Sequence, residues 1–153
     1  MVRAKIIYFT AAIILSGLTQ SQAAEEPELK AVLPQASSFT AVKRGGEIIY
    51  YRAQDRDGQF IGAAFEARSK SYSEINTLVG MLKDGTITAI KVLEQNESAG
   101  IGSRITEPEF TGQFRNIKDI SRVQAITGAT VSSQAVIDSV KQKAEEIKAL
   151  LKE

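Results

Sequence analysis

Apolar positions recur every three or four residues near the end of the chain, at Val136, Val140, Ala144, Ile147 and Leu151. That spacing lays one apolar stripe along a helix and predicts an amphipathic helix over residues 132–152. Upstream the period changes. Residues 47–53 and 59–67 are two β-type runs on either side of Asp55-Arg56-Asp57-Gly58, a turn sequence. The pattern repeats with residues 75–82 and 86–94 on either side of Lys83-Asp84-Gly85. Two hairpins therefore form an antiparallel sheet. Before them, Pro27 opens a short helix with Leu29, Val32 and Leu33 on one face, and Pro34 ends it. Gly45-Gly46 reads as the break between that helix and the sheet. Between the second hairpin and the last helix the patterning lapses, apart from Phe110 and Phe114 four apart beside Pro108. The class is α+β: an antiparallel sheet of two hairpins with an N-terminal helix and a long C-terminal helix.

The first residues follow a different pattern. Arg3 and Lys5 precede a mostly apolar run from Ile6 to Leu18, and Ser21-Gln22-Ala23 places small residues where signal peptidase reads them. This predicts a signal peptide over residues 1–23 and an exported domain over 24–153. An uncleaved anchor is the alternative, although a spanning helix needs about 20 apolar residues. The chain is 43% apolar and 24% charged, as for an ordinary globular domain. Without residues 1–23 it carries 17 basic and 18 acidic side chains. Such a balance argues against nucleic acid as a partner. Cysteine and histidine are both absent. Disulfides, thiol nucleophiles, iron–sulfur clusters, c-type haem attachment, His-ligated metal and a Ser-His-Asp triad are therefore excluded. Any redox chemistry must come from an organic cofactor.

The candidate chemistry lies just before the last helix, at Thr127-Gly128-Ala129-Thr130-Val131-Ser132-Ser133. Small residues let the backbone approach a ligand, four hydroxyls are close together, and a helix start supplies free N–H groups and partial positive charge. Together these suit a phosphate. The same residues also suit a simple cap, with Thr130 or Ser132 closing the helix end. Gly100 and Gly102 lie in a second unpatterned stretch, readable as a ligand loop or as ordinary flexible chain.

The segment Thr127–Ser133 resembles the flavinylation motif of the FMN-binding domain family, which includes subunits of the Rnf complex and of sodium-pumping NADH:quinone oxidoreductase. Glu97-Ser98-Ala99-Gly100-Ile101-Gly102 resembles the family's Glu-Thr-Pro-Gly-Leu-Gly segment, and Ala31-Val32-Leu33-Pro34 its opening Val-Leu-Pro stretch. The resemblance spans roughly residues 29–145. It implies FMN held covalently through a phosphoester to Thr130, with Thr127, Gly128, Ala129, Ser132 and Ser133 around the phosphate. It places Glu97, Ser98, Gly100, Ile101 and Gly102 against the flavin, with backbone N–H groups available to a reduced ring. The implied partners are a flavin transferase and redox proteins, including membrane-bound electron-transport subunits, outside the cytoplasm. No metal and no catalytic side chain are implied. The sequence departs from the motif at Gln124, where the family has aspartate, and at Ser98-Ala99 in place of Thr-Pro. A flavin-dependent reductase of a small acceptor and a flavin-free assembly module are the alternative functions.

Overall fold

The computed structural model of the chain describes residues 23–152. The expected signal segment, apart from its last position, lies outside the described residues. Helix α1 (Glu26–Val32) begins beside Glu25, whose backbone N–H donates to Glu28 Oε2 at 3.4 Å. Pro27 sits in its first turn, as the sequence suggests, and the helix ends ahead of Pro34.

Five strands follow: β1 (Ser38–Arg44), β2 (Glu47–Gln54), β3 (Phe60–Lys70), β4 (Glu74–Leu82) and β5 (Ile87–Gln95). They form one antiparallel sheet in sequence order, so every neighbour is joined by a hairpin. The two hairpins read from the sequence are β2–β3 and β4–β5. The additional strand, β1, corrects the reading of Gly45-Gly46. These glycines form the two-residue β1–β2 turn, between Arg44 and its partner Glu47, with φ of +60° and +86°. Positive φ at both positions is what a tight hairpin of this hand requires, and glycine reaches it without strain. Strand β1 has little hydrophobic signal because it is an edge strand: only Phe39 and Val42 are even half-buried.

A run of short turns leads from β5 to the last helix. It comprises 3₁₀ turns at Gly102–Thr106, Gly112–Phe114 and Ile120–Arg122 and a single helical turn, α2 (Pro108–Thr111). Phe110 and Phe114 are fully buried and meet edge to face, with ring centroids 5.4 Å apart and planes at 78°. Each such side chain contributes about 1.5–3 kcal/mol on burial. The irregular chain is thus fastened by its aromatics rather than by regular hydrogen bonding. Helix α3 (Thr130–Leu150) closes the fold two residues earlier than the periodicity suggests.

The sheet is covered on both faces. The main core joins Phe65, Val79 and Met81 to the α3 stripe of Val136, Val140 and Ile147 and to Phe110 and Phe114. Helix α1 covers the other face through Leu29 and Val32, packed with Tyr51, Ala64 and Leu78. Register decides where the loops gather. Lys70 pairs with Glu74, and Ile75 with Gln95. The β3–β4 turn and the exit from β5 therefore share one end of the sheet.

Candidate functional site

At that end the structure builds a seam around a carboxylate. Glu97, just beyond β5, is 7% exposed. Its Oε1 accepts from Ser73 N at 2.8 Å and Ser73 Oγ at 2.7 Å. Its Oε2 accepts from Ser132 Oγ at 2.5 Å. Ser132 Oγ also lies 3.4 Å from Ser71 Oγ. One side chain thus ties together the β3–β4 turn, the β5 exit and the first turn of α3. Burial pushes the Glu97 carboxyl up, but the hydrogen bonds from Ser132, Ser73 and Ser71 outweigh it and hold the group below the usual carboxylate range.

Gly102 completes the seam by being small. A Cβ there would lie 2.8 Å from Glu97 Cβ and 2.9 Å from Ser132 Oγ. Gly100 differs: its φ is +72°, a Cβ there would meet nothing within 4 Å, and its N–H donates to Ser103 Oγ at 3.0 Å. Ile101 N and Ser103 N both donate to the Ser98 carbonyl, at 3.2 and 3.1 Å. The amides of Gly100, Ile101 and Ser103 are therefore engaged within the loop. Closure of the loop into the following 3₁₀ turn uses them first.

The Thr127–Ser133 segment divides between framework and open surface. Ser133 belongs to the framework: its buried Oγ accepts from Ile126 N at 3.2 Å, and its N–H donates to Ala129 O at 2.9 Å. Ala129, also buried, is the N-cap residue. Gly128 has φ of +86°, which lets the chain reverse into the helix. Thr127 and Thr130 are exposed. Thr130 is the first residue of α3, and no side chain caps that helix start. The simple capping role open to Thr130 or Ser132 is therefore not the one they fill. Ser132 points instead to Glu97.

Four further residues complete the surroundings and carry no sequence motif of their own. Ser71 and Ser73 hold the seam, and Tyr72 stands between them. Arg104 donates from Nη1 to the Thr127 carbonyl at 3.1 Å while pairing with Glu107 and Glu109 at 3.4 and 3.0 Å. A hydroxyl pair flanking a tyrosine in a hairpin turn was the only trace of the first three.

With this geometry in view, the likenesses to known proteins acquire a place. The FMN-binding domain pattern matches residues 72–145, from the β3–β4 turn into α3. A relative from Methanosarcina acetivorans, a subunit of an ion-translocating oxidoreductase complex, is 36% identical over 138 residues, covering 78% of this chain and 73% of its own. The chain belongs to the FMN-binding domain family. A relative from Clostridium ljungdahlii, a subunit of a proton-translocating ferredoxin:NAD(+) oxidoreductase complex, is 29% identical over 156 residues, covering 94% of this chain and 81% of its own. The crystal structure of Shewanella oneidensis NqrC shares the fold at a TM-score of 0.51 and 17% identity, over 76% of this chain and 73% of that one.

Two features of this FMN-binding domain bear on how it would hold the cofactor. An uncapped start on a 21-residue helix suits the phosphate. The loop around Gly100 and Ile101 is exposed. Among the described residues no cluster of acids suits a metal ion, and no helix is long and apolar enough to cross a membrane.

Proposed function

We propose that the protein is an exported electron carrier that holds FMN through a phosphoester to Thr130 and passes electrons between redox proteins. The observation that carries this reading is the position of Thr130. Its side chain is exposed on the first residue of α3, beside an uncapped helix start that favours negative charge. A phosphate joined there gains the helix field without displacing any existing contact. When bound, FMN supplies the electron-accepting chemistry, which no side chain of this chain can provide. The chain's own part is to fix the loops at one end of the sheet.

Export accords with a covalent bond, because a cofactor held only by contacts can be lost where free flavin is scarce. The attachment calls for a flavin transferase as a partner. The names of the relatives, subunits of ion-translocating oxidoreductase complexes, extend the reading to membrane-bound electron-transport partners. The reductase alternative is weaker at Glu97. That carboxylate is held ionised by the seam and is poorly suited to donate a proton.

Intact mass tests the attachment. Protein made with an active flavin transferase should exceed the polypeptide mass by FMN minus water. Thr130→Ala should lose the increment, and Thr127→Ala should keep at least part of it. Fluorescent Thr130→Ala on a denaturing gel would refute the assignment. The boundary at residues 23 and 24 has its own check: N-terminal sequencing of exported protein should begin near Ala24. Recovery of the Met1 form in membranes alone would favour an anchor.

A further inference from the structure

The large hydrophobic side chains that stand exposed among the described residues are Tyr72, Ile101 and Val131, at 77%, 57% and 54%. They come from three distant segments, yet each is the chain neighbour of a seam residue. Tyr72 lies between Ser71 and Ser73, Ile101 precedes Gly102, and Val131 precedes Ser132. Ser73 binds Glu97, Ser132 binds Glu97, and Gly102 packs against both. The backbones that carry the three apolar side chains therefore meet at one junction, and Thr130 is next to Val131. Elsewhere on the described surface large apolar groups are at least partly covered. Those left in water lie beside the residue proposed to carry the flavin.

We propose that Tyr72, with Ile101 and Val131, forms the platform for the isoalloxazine ring, and that the β3–β4 turn is a third wall of the flavin site. The inference rests on the reading that Thr130 carries FMN. The ring is a broad, mostly apolar plane tethered through a short chain, so it will settle on apolar surface near its tether. Tyr72 offers an aromatic face on a turn that cannot drift, because both flanking serines are fastened to the seam. Its exposure means that substitution leaves the core untouched.

The test uses flavinylated full-length protein and reads the ring's fluorescence, since a phenol in contact with a flavin quenches its emission. Tyr72→Ala should raise flavin emission severalfold and increase quenching by iodide. Tyr72→Phe should raise emission but keep the ring shielded from iodide. Flavin content is first checked on a denaturing gel. Fully flavinylated Tyr72→Ala with unchanged emission and unchanged iodide access overturns the platform alone. Wild-type protein that acquires no covalent flavin beside an active transferase overturns the attachment at Thr130, and the platform with it.

Discussion

Glu97 shows how one side chain can be both part of the fold and part of the site. It is buried and charged, which is costly unless every lone pair is used. Here serine donors from two other segments meet it, and Gly102 clears the space. Glu97→Gln keeps the shape but weakens the charge-assisted bonds, and should cost about 1.5–3 kcal/mol. The sign of the pH effect follows from its lowered pKa. The stability contributed by ionised Glu97 is present above the pKa of the unfolded chain and is lost as pH falls through the folded value. The gap between wild type and Glu97→Gln should therefore be widest near neutrality and close in acid. Denaturant unfolding at a series of pH values measures it, and a gap that stays constant into acid would rule out this account. Gly102→Ala attacks the same contact sterically. Overpacking of this kind costs about 1–3 kcal/mol, and thermal unfolding would show that loss if the seam is as tight as its distances.

At the scale of elements, what the sequence made legible was what repeats. Short β-type runs set off by turn sequences mark β2 to β5, and the stripe on α3 reports its buried face, so the α+β class, both hairpins and the last helix were readable. Strand β1 was not, because an edge strand with two half-buried side chains leaves almost no alternation. The site was legible where it has a motif and silent where it is assembled. Thr127 to Ser133 and Glu97 to Gly102 stand out as segments. That Ser132 reaches Glu97 across 35 positions, or that Ser71 and Ser73 join them, follows only from the register of β3, β4 and β5. Roles inside the motif were also mixed, since Ser133 closes the backbone and Thr130 stays open. The segment leading into the motif is clamped as well. Gln113 donates to the Gln124 carbonyl at 3.1 Å and accepts from its N–H at 2.8 Å, which holds the backbone while Gln124 stays exposed. The Gln124 side chain is thus exposed without bearing on the fold. Gln124→Asp restores the family's residue and should raise the fraction flavinylated when transferase is limiting. Equal occupancy by intact mass would show that the transferase ignores this position.

The whole molecule separates what holds it together from what it offers. The sheet, α1 and α3 enclose the core, and the loops of the candidate site gather at one end. The two kinds of residue lie close together in sequence, so their energetics should differ sharply over short distances. Thr130 is exposed and caps nothing, so the polypeptide gains little from its side chain. Surface positions of this kind usually change stability by less than about 0.5 kcal/mol. Phe110, twenty residues earlier, is fully buried against Phe114. Its replacement by alanine should cost about 3–5 kcal/mol. Made without a flavin transferase, Thr130→Ala should therefore melt within a few degrees of wild type, and Phe110→Ala should melt far below both. The proposed carrier role requires this contrast, because a residue proposed for attachment must be loaded without refolding the domain around it. Calorimetry on the three unloaded proteins decides the matter. A large loss of stability in Thr130→Ala would mean that the hydroxyl is part of the framework. The disappearance of flavin from that variant could then no longer be read as the loss of its attachment point.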